Sequence, residues 1–134
     1  MTNNIQINRR SIQLLRVLLS GIFLVAGSNH LLNTTQTVRR LEQASFKGIA
    51  YFFGEPETLV LLSGILMLIA GFLFLIGYKT RWAAIVLGLI LVPITLTVQV
   101  GQINTLGPLF KNIAILGGLL FFMINDTEKS FKIK

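Results

Sequence analysis

Cysteine is absent from this chain of 134 residues, and histidine occurs only once. Without thiols the chain cannot form disulfides, thiol redox centres, Cys-ligated zinc sites or iron–sulfur clusters. One histidine cannot supply both axial ligands of a bis-histidine haem. No group of His, Asp and Glu residues has the spacing of metal ligands, so we expect no metal site.

Charged residues are also scarce. They make up 13% of the chain, about half of the fraction usual for soluble domains, whereas hydrophobic residues make up 53%. Too few polar groups remain to cover a water-facing surface, so the composition predicts a membrane protein. The length allows a single domain, which we assign to residues 1–134. The net charge of +7 comes mostly from Lys and Arg residues that flank apolar runs, which favours contact with the lipid bilayer and no nucleic-acid partner.

Four apolar segments are long enough to cross a membrane. A helix needs about 20 residues to span a hydrocarbon core of roughly 30 Å. The approximate bounds of the spans are 12–32, 58–78, 82–100 and 108–124. Only the letters KTR separate the second span from the third, so these two form a tight antiparallel hairpin. The sequence therefore predicts an all-α fold, an antiparallel four-helix transmembrane bundle.

Small residues recur in every predicted span. In lipid they allow helices to pack closely, and we expect them at helix interfaces. Pro93 is expected to kink the third span, with Thr95 and Thr97 available to bond the carbonyls that it frees. The small residues are Gly21 and Gly27 in the first span, Gly64 and Gly71 in the second, Ala84 and Gly88 in the third, and Ala114 and Gly118 in the fourth.

The segment 33–56 is the one long connection between spans. Apolar and small residues recur there at helical spacing, which favours a short amphipathic helix on the membrane surface. An irregular loop with scattered apolar side chains is the alternative. The residues at helical spacing are Val38, Leu41, Ser45, Ile49 and Phe52.

The distribution of Lys and Arg predicts the orientation. Seven lie in the segments at one side of the bundle: Arg9, Arg10, Lys79, Arg81, Lys129, Lys132 and Lys134. Three lie at the other side: Arg39, Arg40 and Lys47. The positive-inside rule then places both termini in the cytoplasm.

A secretory signal peptide is a competing interpretation of the first segment. Arg9 and Arg10, an apolar run and the letters AGS at 26–28 resemble such a peptide with its cleavage site. Arg16 interrupts the apolar run, however, and three more spans follow, so we favour an uncleaved first span.

Polar residues of all four spans come together at one end of the predicted bundle. The first span ends near His30, the second begins at Glu57, the third ends near Gln99, and the fourth begins near Lys111 and Asn112. A buried ammonium needs a partner, which Glu57 could supply to Lys111. We therefore hypothesise a polar binding pocket of these five residues, with no catalytic residue among them. Snorkelling of Lys111 to the headgroups is the alternative.

Arg16 lies near the start of the first span, at the opposite end of the predicted bundle. Tyr78 and Trp82 are expected at the same level. The guanidinium could snorkel, bind an anionic headgroup, or hold the end of the second span through its last carbonyls.

Three stretches of the sequence resemble the DoxX family of small four-helix membrane proteins. They are AGSNHLL, GILMLIAGFLFLIGYKTRWAA and FKNIAILGGLL, and the resemblance extends from Arg16 to Phe122. Lys111-Asn112 followed by Gly117-Gly118 is its most specific element. The residues that match positions of the family's motifs are Arg16, His30, Lys111 and Asn112 only. The fused or partner domains that would bind a sulfur substrate are missing, which argues against autonomous thiosulfate oxidation.

The resemblance implies a bundle in bacterial-type membranes. Some relatives are subunits of thiosulfate:quinone oxidoreductases, and others join membrane complexes that handle oxidative or thiol stress. The first hypothesis is therefore a small subunit of a quinone-linked oxidoreductase, with quinone as the cofactor and a protein partner or second copy beside it. The second is a non-enzymatic structural, assembly or lipid-contacting subunit. A channel formed by an oligomer is the third.

Overall fold

The computed structural model describes residues 5–125 and residue 127 of the chain. Within this part, helices follow one another with short connections. A π-helical segment, Thr95–Gln99, continues α5, and a 3₁₀ turn, Ile103–Thr105, leads into α6. The helices are α1 (Arg9–Leu32), α2 (Thr34–Glu42), α3 (Lys47–Phe53), α4 (Pro56–Ile76), α5 (Thr80–Ile94) and α6 (Leu106–Ile124).

Four helical stretches are long and apolar enough to cross a membrane. They alternate in direction along the chain, so the predicted all-α, antiparallel four-helix bundle is confirmed. We call the end where α1 and α5 begin the terminal face. The end that carries residues 33–55 and 100–105 is the loop face. The spanning stretches are Arg9–Leu32, Pro56–Ile76, Thr80–Gln99 and Ile103–Ile124.

The hydrophobic core lies toward the terminal face. Phe74 and Phe122 pack edge to face, with ring centroids 4.9 Å apart, and both side chains are fully buried. Phe23 of α1, Leu87 of α5 and Leu119 of α6 complete this layer. Aromatic pairs in this geometry contribute about 0.5–1.5 kcal/mol beyond the area that they bury. The layer therefore joins all four spans near their terminal-face ends.

Glycines bring α1 and α4 together at the loop half of the bundle. A Cβ added to Gly27 would lie only 2.9 Å from the backbone oxygen of Gly64. A Cβ added to Gly64 would lie 2.8 Å from the Cβ of His30. The predicted role of these two glycines in close packing is confirmed, and their contact positions His30 against α4.

Helices α1 and α6 meet only near the core. There Gly118 packs against Leu19, whose Cδ1 would lie 2.9 Å from an added Cβ. Two of the small residues expected at interfaces do not serve there: Ala114 is exposed, and an added Cβ at Gly21 would have no atom within 4 Å. The expectation for these two positions was wrong, because Ala114 lies on an exposed side of α6 and Gly21 has open space beside it.

The long connection forms two short helices rather than one. Helix α2 ends at Glu42, and α3 begins at Lys47, so the helical spacing read across residues 38–52 is interrupted. Leu41 is buried as expected, but the side chain of Phe52 is 85% exposed. Gln102 fastens this connection at the loop face, since its Nε2 donates to the Gln43 backbone oxygen over 3.4 Å.

Candidate functional site

A cavity of about 960 Å³ occupies the loop half of the bundle. Helices α1, α4, α5 and α6 form its walls, and α2 and α3 cover its mouth. Most of the lining is aliphatic, and no carboxylate of the described residues lines it. Side chains in the wall such as Val25 and Leu89 are 63% and 70% exposed, so the cavity opens sideways toward the surface that lipid would cover.

The cavity brings together four of the five residues of the predicted pocket. His30, Gln99, Lys111 and Asn112 all line it, although they lie on three different spans. Glu57 does not line it. That residue lies in the first turn of α4 with an exposed side chain. All five residues therefore lie at the same end of the antiparallel bundle, but only His30, Gln99, Lys111 and Asn112 line the cavity.

His30 is oriented by α4. Its Nδ1 lies 2.9 Å from the hydroxyl oxygen of Ser63, and that hydroxyl lies 2.9 Å from the backbone oxygen of Val60. A carbonyl only accepts, so the single hydroxyl proton of Ser63 goes to Val60, and Nδ1 must donate its proton to Ser63. In a neutral imidazole Nε2 is then the acceptor.

Asn112 fastens α6 to α5 beneath the cavity. Its side chain is 4% exposed, and its Nδ2 donates to the hydroxyl oxygen of Thr95 over 2.9 Å. Thr95 in turn donates to the backbone oxygen of Leu91 over 2.7 Å. This is not the carbonyl that Pro93 frees, which belongs to Leu89, so the bond expected between Thr95 and a freed carbonyl is not observed. The Asn112 amide therefore has a structural partner in addition to its place in the cavity wall.

Gln99 presents an unpaired oxygen. Its Oε1 is buried and has no hydrogen-bond partner, while its backbone oxygen accepts from the hydroxyl of Thr105 over 2.7 Å. The residue ends the π-helical segment that starts two residues after Pro93. Proline removes one backbone donor from a helix, and single π turns are frequent at functional sites. A buried acceptor without a donor is costly. Because Oε1 is buried even with the cavity empty, a ligand hydroxyl would reach it only if the amide rotated toward the cavity.

Lys111 extends from α6 at the cavity mouth with an exposed side chain. It forms no ion pair with Glu57 and no hydrogen bond within the part of the chain that the structure describes. Arg40 of α2 also lines the cavity, and sequence reasoning had used it only to predict orientation. Ser63 was missed as well, because its link to His30 joins residues 33 positions apart. The mouth of the cavity therefore carries the cationic side chains of Lys111 and Arg40. No carboxylate from the part of the chain that the structure describes lies there.

Arg16 lies at the other end of the bundle. A Cβ added to Gly77 would lie 2.5 Å from its Nη1 and 2.8 Å from its Cζ, so the guanidinium packs against the turn after α4. Its Nε is buried without a hydrogen-bond partner. Tyr78 and Trp82 flank the turn with exposed rings, at the level expected for them.

The four spanning helices and the cavity define the class of protein to which this chain belongs. The chain is a small multi-pass helical membrane protein with a polar-mouthed cavity that opens toward lipid. The family model named DoxX matches residues 11–100, which is more than half of the chain, and the chain belongs to the DoxX family. Lys111 and Asn112 lie beyond the matched residues, so their correspondence to the family's motif stays a prediction. No curated protein and no solved structure matches the chain.

Proposed function

We propose that this DoxX protein is a small subunit of a quinone-linked membrane oxidoreductase complex, and that its cavity binds the quinone. The observation that carries the proposal is an apolar cavity that opens toward lipid and has donors at its mouth. Its volume of about 960 Å³ lies at the upper end of the range for small-molecule sites. A headgroup with the first units of its apolar tail would fit.

The polar groups match both redox forms of a quinone. The ring oxygens of the oxidised form only accept, and Lys111 and Arg40 can donate to them. The reduced form carries hydroxyl groups, for which the unpaired Oε1 of Gln99 becomes an acceptor once the amide rotates toward the cavity. Reduction to the quinol takes up two electrons and two protons. Both protons come from the aqueous side of the mouth, where Lys111 can pass on one proton and be reprotonated from the solvent before it passes on the next. The electrons must come from a partner protein, since none of the lining side chains exchanges electrons.

The proposal is tested by quinone binding to the purified protein in mild detergent. Decylubiquinone and a short-chain menaquinone serve as probes, and quinones that co-purify are identified by chromatography. Replacing Lys111 by alanine removes one charge-assisted hydrogen bond and should weaken binding about tenfold or more. Lys47→Ala is the matched control, because Lys47 is an exposed lysine of α3 that does not line the cavity. Equal affinity of Lys111→Ala and wild type would refute the proposal.

A second candidate function is a structural or assembly subunit without activity of its own. It is favoured by the outer surface of α6, where Ala114 and Gly117 are exposed and an added Cβ at Gly117 would have no atom within 4 Å. Small residues that face lipid permit close approach of a further helix. Cross-linking to a large complex whose activity survives both Lys111→Ala and His30→Ala would favour this function over quinone binding.

For the orientation, we propose that the terminal face lies in the cytoplasm of a bacterial-type plasma membrane. The count of Lys and Arg on the two sides supports this placement. Reporter fusions before Ser11 and after Asn125 should both report a cytoplasmic location. A periplasmic signal from both would reverse the bundle, and signals on different sides would contradict an even number of spans.

A further inference from the structure

The depth of the Arg16 guanidinium follows from its contact with Gly77. Arg16 comes seven residues after Arg9, the first residue of α1, so its Cα lies about 10 Å along the helix from that end. Helical side chains lean toward the amino terminus, and this one reaches the turn that ends α4. Gly77 is the residue after α4, so the guanidinium lies where α4 leaves the membrane.

Gly77 leaves the space that the guanidinium fills. Its φ of +79° is in the left-handed region, and the backbone N–H groups of Gly77 and Tyr78 bond to Phe74 and Leu73 over 3.3 and 3.0 Å. These bonds already cap the end of α4. Arg16 donates no hydrogen bond to those carbonyls, so capping does not account for its position.

The guanidinium has no protein partner in the described part of the chain. Its Nε is buried and unpaired, and it forms no ion pair. The described carboxylates, Glu42, Glu55 and Glu57, all lie at the loop face. The Arg16 side chain as a whole is only partly buried, so the guanidinium is not enclosed on all sides. A guanidinium desolvated on one side gains more from an anion on its open side than one surrounded by water.

The surroundings of Arg16 fit the membrane interface. Tyr78 and Trp82 are 56% and 66% exposed, and aromatic residues of this kind are enriched at the level of lipid headgroups. Arg10 and Arg81 are exposed at the same face, which adds positive charge around the open side of the guanidinium. An anion at this depth is more readily supplied by a lipid than by the solution.

We propose that Arg16 binds the phosphate of an anionic phospholipid at the terminal face. The two Nη groups donate to the phosphate oxygens, because a guanidinium fork matches this geometry. Gly77 permits the position of the fork, since a side chain there would displace it. This site lies at the opposite end of the bundle from the cavity and does not depend on the proposed quinone function.

The test uses the full-length protein in a neutral detergent. Short-chain phosphatidylglycerol, short-chain phosphatidylcholine and inorganic phosphate are added separately, and binding is followed by native mass spectrometry and by the thermal unfolding midpoint. Wild type should bind phosphatidylglycerol about five- to tenfold more tightly than phosphatidylcholine, and Arg16→Gln should remove most of that preference. Lys79→Gln is the matched control, because it also removes one positive charge, from the turn against which Arg16 packs. The exposed Lys79 ammonium lies over the Tyr78 ring there, 5.7 Å from its centroid.

Three outcomes would overturn the proposal. The first is an equal affinity of wild type for the two lipids, which needs no variant to observe. The second is an undiminished preference for phosphatidylglycerol in Arg16→Gln. If that variant does not fold, Arg16→Lys replaces it: loss of the fork should weaken the preference about threefold, and an unchanged preference would count against the site. The third is an equal, Arg16-dependent effect of inorganic phosphate, which would assign the site to a free oxyanion.

Discussion

Replacing Gly64 by alanine should separate α1 from α4 at the cavity wall. The added Cβ would lie 2.8 Å from the Cβ of His30 and 3.1 Å from the backbone oxygen of Gly27. Carbon atoms in contact lie about 3.5–4.0 Å apart, so the helices must move apart by roughly 0.7–1.2 Å. The His30 Nδ1–Ser63 Oγ distance, 2.9 Å in the structure, would then exceed the range of a hydrogen bond.

The magnitude follows from these two effects. Overpacking of a tight contact costs about 1–3 kcal/mol, and loss of the His30–Ser63 hydrogen bond costs about 0.5–1.5 kcal/mol. We therefore expect the free energy of unfolding of Gly64→Ala to fall by about 2–4 kcal/mol. Titration with sodium dodecyl sulfate in mixed micelles, followed by circular dichroism, measures this free energy.

Gly117→Ala is the control for the helix propensity of alanine. Gly117 also lies inside a spanning helix, but an added Cβ there would have no atom within 4 Å. The free energy of unfolding of Gly117→Ala should equal that of wild type or exceed it by up to about 1 kcal/mol. If Gly64→Ala proved as stable as Gly117→Ala, the close crossing of α1 and α4 would not be present in the membrane.

Two further predictions concern α5 and its contact with α6. Asn112→Leu removes the hydrogen bond to Thr95, while the Thr95 hydroxyl keeps its own acceptor, Leu91. The free energy of unfolding in the same titration should therefore fall by about 0.5–1.5 kcal/mol. An unchanged free energy would show that this bond does not hold the two helices together. Pro93→Ala restores the backbone donor that a helix directs to the carbonyl of Leu89, four residues earlier, and should convert the π-helical turn to α-helix. Hydrogen exchange of the amides from 94 to Gln99 should then slow, and unchanged exchange would refute this origin of the π turn.

The sequence was sufficient for the architecture because the bilayer imposes it. A spanning helix needs a minimum apolar length, and this can be counted along the chain without knowledge of any tertiary contact. The first span was expected to begin near residue 12, and helix α1, which contains it, begins about one turn earlier, at Arg9. Charged and polar residues at the ends of spans make these bounds the least certain part.

The pocket could be predicted only in part. An antiparallel bundle brings the end of α1, the end of α5 and the start of α6 to one face, and this placed His30, Gln99 and Lys111 together. To predict whether Lys111 pairs with Glu57, one must know how each helix is rotated about its own axis. Position in the sequence does not specify that rotation. Glu57 lies at the right end of the bundle but outside the cavity wall.

The apolar lengths and the basic flanks of the chain determined by themselves that it crosses the membrane four times, because hydropathy acts on each segment independently. The tertiary structure alone decided that Gly118 packs against Leu19 of α1, that Arg40 reaches the cavity mouth from α2, and that the Arg16 guanidinium packs on Gly77. Each of these depends on how far apart two helices lie and which sides face each other. Those distances are set by side-chain packing between remote residues, which no local pattern records.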